Sequence, residues 1–142
     1  MLKVLIAVDG SEHAQRTLAA VARLAQHTNG VDAVLLHVRD TPPYYGDLPP
    51  LDFESLDQLG KRKQDDVLQK ALASAKAVGL TAVRAKGVSG LAAPEIVREA
   101  EIEGVDQIAM GTHGRGALGS LVIGSVAQRV LHLSKVPVLL VH

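Results

Sequence analysis

The stretch with the densest chemistry runs Gly111-Thr112-His113-Gly114-Arg115-Gly116-Ala117-Leu118-Gly119-Ser120-Leu121-Val122-Ile123-Gly124-Ser125, with five glycines in the fourteen residues from Gly111 to Gly124. Glycine lets backbone N–H groups turn toward a ligand and approach it with no side chain between, and a helix starting where such a loop ends adds a dipole favourable to anions. A triphosphate is a ligand that uses both. Ser125, at or near the start of that helix, can cap it and donate its hydroxyl to a phosphate oxygen. No Lys follows the glycines in G-K-[ST] order, which excludes a Walker loop, and the segment does not sit after the first strand as the dinucleotide G-x-G-x-x-G does. A second polar turn, Asp9-Gly10-Ser11, stops the apolar run that opens the chain.

Both turns need rigid elements to hold them. Leu2 to Val8 is short, apolar and β-branched, and reads as a buried central strand. Ala14, Leu18, Val21 and Ala25 recur at helical spacing, with Arg16 and Arg23 elsewhere on the wheel and Asn29-Gly30 as a stop. Ala33 to Val38 repeats the buried-strand pattern, and the proline-rich stretch from Thr41 to Pro50 reads as one long surface loop. An amphipathic helix is expected from about Asp52 to Val78, closed by Gly79. Thr81 to Val88 half-alternates, as a strand near a sheet edge does. A third helix begins near Ala92, with Pro94 tolerated in its first turn, and ends at Gly104. Val105 to Met110 is the fourth strand. Ile123, Val126, Val130 and Leu133 mark a fourth helix, and Val136 to Val141 a last strand, which Pro137 places at an edge.

Alternating strands and helices of this kind specify an α/β fold, an open five-stranded parallel sheet with helices on both faces. In such sheets ligands bind beyond the carboxyl ends of the strands, where the strand order reverses. The crevice is therefore expected between strands one and four, with Asp9-Gly10-Ser11 on one side and the Gly111 loop on the other.

The 142 residues suffice for one domain with a full core. Hydrophobic residues make up 47% and aromatics 2%, so the core must be Val, Leu, Ile and Ala. Fifteen basic residues balance fifteen acidic ones, and no segment concentrates Lys and Arg as a nucleic-acid footprint requires. The absence of cysteine excludes disulfides and thiolate metal sites. The apolar start is too short for a signal-peptide core or a membrane span, which makes a cytoplasmic location and no membrane insertion the expectation.

In spacing and position the glycine segment resembles the universal stress protein family, whose ATP-binding members carry G-x2-G-x9-G-[ST] after the fourth strand. Gly111, Gly114, Gly124 and Ser125 match each element, and the resemblance covers nearly the whole chain, from Val4-Leu5-Ile6-Ala7-Val8-Asp9-Gly10-Ser11 to Val136-Pro137-Val138-Leu139-Leu140-Val141. It implies one universal stress protein domain over residues 1–142 and the Rossmann-like strand order 3-2-1-4-5 of the adenine nucleotide alpha hydrolase-like folds. It further implies that Ala7, Val8 and Asp9 face the nucleotide, that backbone near Val38 reads the adenine, and that Met110, Gly111 and Gly114 line ribose and phosphates; His113 and Arg115, in the same loop, are added as residues that could meet phosphate charge. Gly124, Ser125 and Val126 would complete the phosphate end. The implied ligand is ATP, with Mg or Mn held mainly by phosphate oxygens, and the implied assembly is a homodimer through the last strand. Gln107 departs from the family, which usually has an apolar residue there.

Plainer readings stand beside these. Glycines also serve tight turns, and Asp9 also suits a helix cap or a local turn. His113, in a polar loop, reads as a solvated side chain or a donor to bound phosphate rather than a base. Arg115 is what solubility alone would place in a loop. His37 reads as a satisfied strand histidine, and His13, His27, His132 and His142 show no metal-ligand spacing. Tyr44, Tyr45 and Phe53 suit an anchored loop, a lid or a partner contact. Three functions follow in order: a regulatory protein whose ATP occupancy biases a dimer or protein-partner surface, a slow ATP-hydrolysing enzyme, and a nucleotide-free dimerisation module. A phosphoacceptor receiver fails, because Lys86-Gly87-Val88 ends strand three with no Asp to phosphorylate.

Overall fold

In the computed structural model, strands β1 (Leu2–Ala7), β2 (Val31–Arg39), β3 (Ala82–Ser89), β4 (Gln107–Gly111) and β5 (Val138–Val141) alternate with helices α1 (Glu12–Gln26), α2 (Pro50–Ala77), α3 (Ala92–Glu103) and α4 (Ser125–Leu133). The structure describes residues 1–40, 50–113 and 123–142, with only the backbone of 50–53. All strands pair in parallel, in the order β3-β2-β1-β4-β5. The sheet class, the order and the central place of β1 are those expected from the sequence.

Strand alternation divides the core into two layers. Val4, Ile6 and Val8 join Leu18 and Val21 of α1 and Leu68, Ala71 and Ala75 of α2 on one face. Leu5, Ile108 and Met110 join Ala93, Ile96 and Ala100 of α3 and Ala127 and Val130 of α4 on the other. Aliphatic side chains fill both layers, which is why strands buried on two faces read as near-continuous apolar runs.

Several boundaries differ from expectation: β2 starts at Val31 rather than Ala33, α4 at Ser125 rather than Ile123 and β5 at Val138 rather than Val136, and two more differ for a clear local reason. β4 starts at Gln107 rather than Val105. The Val105 N–H is taken by Ala100 O at 3.1 Å, and Asp106 clamps Lys3 through its own N–H to Lys3 O and from Lys3 N–H to its Oδ2, each at 2.8 Å. Pairing begins only where Gln107 meets Val4, and there the Gln side chain is half-buried at the strand's start rather than inside the core. α2 starts at Pro50 rather than near Asp52. Proline's fixed φ and missing N–H suit the first position of a helix. The rest of the stretch from Thr41 to Pro50, with Tyr44 and Tyr45, and the side chain of Phe53 lie outside the described residues.

The two sheet edges are unlike. On β3, Arg84 pairs with Glu103, and Lys86 with Glu99 and Glu103 of α3, a charged edge of the kind that blunts strand addition. On β5, Pro137 O accepts from Ile108 N–H and Val141 O from Thr112 N–H, both at 3.0 Å. Odd-numbered residues therefore face β4, and the backbone groups of Val138 and Leu140 face the open edge. Among the described residues no helix is long and apolar enough to cross a membrane.

Candidate functional site

A crevice of about 580 Å³ opens over the carboxyl ends of β1, β2 and β4, a volume ordinary for a small-molecule site. It lies where the order reverses, β2 leaving β1 on one side and β4 on the other. Ala7, Val8, Asp9, Val38, Met110, Gly111, His113, Gly124, Ser125 and Val126 all line it. Gly114 and Arg115 lie outside the described residues.

The turn after β1 is held from within. Asp9 Oδ1 accepts from Ser11 N–H at 2.9 Å and from Ser11 Oγ–H, so Asp9 makes a local turn, while Ser11 holds the α1 N-cap position without a side-chain cap bond. Gly10 has φ +83°, and a Cβ there would stand 3.2 Å from Val67 Cγ2 on α2. Only glycine meets both demands without strain.

The turn after β4 is tighter. A Cβ on Gly111 would lie 3.2 Å from His113 O and 3.3 Å from His13 Cβ. Thr112 is the node: its N–H donates to Val141 O at 3.0 Å, its O accepts from Gly124 N–H at 2.6 Å, and its Oγ1 is 3.0 Å from His113 Nδ1. That network fixes where α4 begins. Gly124, not Ser125, is the N-cap, and Ser125 is the first helical residue. Gln128 N–H is bonded to Gly124 O at 3.0 Å, so the amides of Ser125, Val126 and Ala127 precede the first intrahelical bond, and no described side chain caps them. The first turn of α4 carries no acidic residue to occupy them.

His113 differs from its sequence reading. It is not solvated but 8% exposed, with the rings of His13 and His142 each centred 6.0 Å away. Its Nε2 is buried and has no hydrogen-bond partner among the described residues.

The α2 wall escaped sequence reading altogether. Gln64, 8% exposed, directs Nε2 at His37 Nδ1 and His37 O, each at 3.0 Å, and at Val88 O at 2.8 Å, strapping α2 to the ends of β2 and β3. Arg39 pairs with Asp57 at 2.9 Å, and this bond above all holds the Asp57 carboxyl below the usual carboxylate value. Lys63 lines the same wall with no ion pair among the described residues. The one available signal was Gln64 itself, a polar residue in helical register with buried Leu68, Ala71 and Ala75.

The crevice thus has two characters. Val38, Ala92 and Ile96 give it apolar wall beside the backbone end of β2, suited to a flat base. Gly111, the first amides of α4 and His113 form a donor-rich end suited to an anion. The His113 Nε2, without a partner among the described residues, and the cradle a Cβ would fill at Gly111 both fit a phosphate-bearing ligand. Among the described residues no group of three or more His, Cys, Asp or Glu is arranged to hold a metal ion, so a divalent cation here would depend on the ligand's own oxygens.

Residues 1–142 match the model of the universal stress protein family. A Thermus aquaticus protein named as the universal stress protein in the QAH/OAS sulfhydrylase 3' region is 34% identical over 146 residues, covering 97% of this chain and 96% of its own. Among solved structures, the universal stress protein UspA from Lactobacillus plantarum superposes with a TM-score of 0.84 at 19% identity, covering 99% of this chain and 97% of its own. Three further structural neighbours hold adenine nucleotides. One is a universal stress protein in complex with cAMP (TM-score 0.68, 23% identity, 99% and 96% covered). Another, from Archaeoglobus fulgidus, is in complex with dAMP (0.68, 20%, 100% and 98%). The third, from Arabidopsis thaliana, has AMP bound (0.69, 20%, 99% and 91%). At these identities the structural likeness establishes the shared fold.

Proposed function

The chain belongs to the universal stress protein family, and we propose that it binds ATP in the crevice between β1 and β4 and acts as a small regulatory protein. The observation that carries the reading is the meeting, at one end of one crevice, of the Gly111 turn, the first amides of α4, uncapped by any described side chain, and the His113 Nε2 that has no partner among the described residues. Each supports an anion, and no described carboxylate competes for the amides. The apolar wall beside Val38 supports an adenine ring, as do the adenine nucleotides held by three structural neighbours.

The finer parts of the reading follow from the same frame. Mg or Mn would ride on the phosphate oxygens. A homodimer would form through the open edge of β5, and the Thr112 node, bonded both to Val141 and to the start of α4, gives occupancy a route to that edge or to a protein partner. The setting would be the cytoplasm.

The test is thermal unfolding with Mg-ATP, with GTP as the control for base reading. A ligand that binds only the folded state stabilises it, by about 4 kcal/mol at a thousandfold excess over Kd. A rise in Tm with ATP and not GTP is the expected result. No rise with either at millimolar nucleotide would sink the ATP reading and favour a nucleotide-free dimerisation module.

A further inference from the structure

We propose that ATP binding in this crevice is coupled to uptake of a proton at His113, so that the site binds its nucleotide more tightly as pH falls. The inference rests on the nucleotide reading above and adds its regulation.

Three histidines from separate parts of the fold come together: His13 on α1, His113 after β4 and His142 after β5, the rings of His13 and His142 each centred 6.0 Å from that of His113. His113 is 8% exposed and lines the crevice beside Gly111. Its Nδ1 is engaged with Thr112 Oγ1 at 3.0 Å, which leaves Nε2 as the nitrogen without a partner among the described residues. A buried polar nitrogen left in this way is a destabilised group waiting for a partner.

The charges around His113 decide what that partner does. α1 contributes His13, the end of β5 contributes His142, and the first turn of α4 carries no acid. The carboxylates on the crevice are Asp9, whose Oδ1 is held by Ser11, and Asp40 at the end of β2; its cations are Lys63 and Arg39, the latter paired with Asp57. No carboxylate bonds the His113 ring among the described residues. A phosphate oxygen at Nε2 supplies both the missing hydrogen bond and the counter-charge, and a hydrogen bond between two ionised groups is about twice as strong as a neutral one. The complex therefore holds more protons than the free protein, and linkage requires affinity to rise as pH falls.

Isothermal calorimetry of Mg-ATP binding to the wild type and to His113→Asn, in two buffers of different ionisation heat between about pH 6 and about pH 8, reads this directly. ATP's own proton changes are common to both proteins and cancel in the comparison. The expected result is extra proton uptake by the wild type and an affinity gain of about tenfold toward the acid end that His113→Asn lacks. Equal proton uptake and parallel pH profiles would overturn the inference while leaving ATP binding intact; no binding heat in either protein at any pH would remove the nucleotide reading and the inference with it. Should His113→Asn fold poorly, imidazole nitrogen NMR of the wild type at neutral pH decides. A His113 ring that turns from neutral to imidazolium on adding ATP is expected, and one that stays neutral contradicts the coupling.

Discussion

Gln64 offers the sharpest test of how the crevice is built. Its side-chain amide has two hydrogens yet faces three acceptors at 2.8 to 3.0 Å, so one hydrogen is shared and two bonds' worth of stabilisation is at stake. At about 1 kcal/mol net for each bond, Gln64→Leu, which keeps the volume but donates nothing, should cost about 2 kcal/mol. An unfolding entropy of about 2.1 cal/mol/K per residue gives roughly 0.3 kcal/mol/K for a chain of this length, so Tm should fall by about 7 °C. Gln64→Glu should be worse near neutral pH, because it aims an anion at two carbonyls and an imidazole lone pair. The ionised form of that introduced carboxyl is disfavoured in the folded protein, which raises its folded-state value. Its deficit should therefore shrink as pH falls and the carboxyl regains a donor, and grow as pH rises. Far-UV circular dichroism melts across pH measure all of this. A Gln64→Leu melt within a degree or two of wild type, with Gln64→Glu no worse, would refute the claim that this amide straps α2 to the sheet.

Gly10→Ala should lower stability by about 1 to 2 kcal/mol in denaturant titration, because φ is +83° and the new methyl would press on Val67. Glu103 carries a carboxyl lowered to about 2, chiefly by its hydrogen bond to Arg84. A depressed value stabilises the fold above the ordinary value of 4.5 and is lost as pH falls toward about 2. Glu103→Gln should flatten the acid limb of the stability curve in that window, by about 1 kcal/mol since Arg84 is half exposed; an unchanged acid limb would contradict the pairing. Leu140→Pro removes an N–H that faces the open edge of β5, at the cost of trimming a side chain packed on the α3–α4 layer, so analytical ultracentrifugation should show a monomer with its far-UV spectrum retained if the dimer forms through that edge. A dimer of unchanged strength would place the interface elsewhere.

Strands and crossover helices were legible because their signals are local. Val4, Leu5 and Ile6, or Ile108, Ala109 and Met110, are buried on both faces and read as unbroken apolar runs. Gly111 was legible because a Cβ there would crowd His113 O and His13 Cβ, which leaves few residue choices. What was not legible depends on contacts remote in sequence. Gln64 reaches 24 residues along the chain to Val88 O and 27 back to His37, and no local pattern announces that. His113 looked solvated because its sequence neighbours are polar, yet it is buried, with His13 and His142 from opposite ends of the chain beside it. The boundary of β4 was missed because Asp106, an exposed residue, is consumed by a clamp to Lys3 that only the parallel register creates. Ser125 does lie at the start of α4, but the cap position falls to Gly124, whose N–H is bonded to Thr112 O, and Ile123 stays outside the helix.

The most direct test of the ATP site is equilibrium dialysis with labelled ATP against the wild type and Gly111→Val, each checked by circular dichroism for a retained fold. The account predicts one ATP per chain for the wild type. It predicts strongly weakened binding for the variant, whose branched side chain would crowd His113 O and His13 at the turn that presents the anion-binding end. Equal ATP binding by the folded Gly111→Val protein would contradict the assignment of the crevice as the nucleotide site.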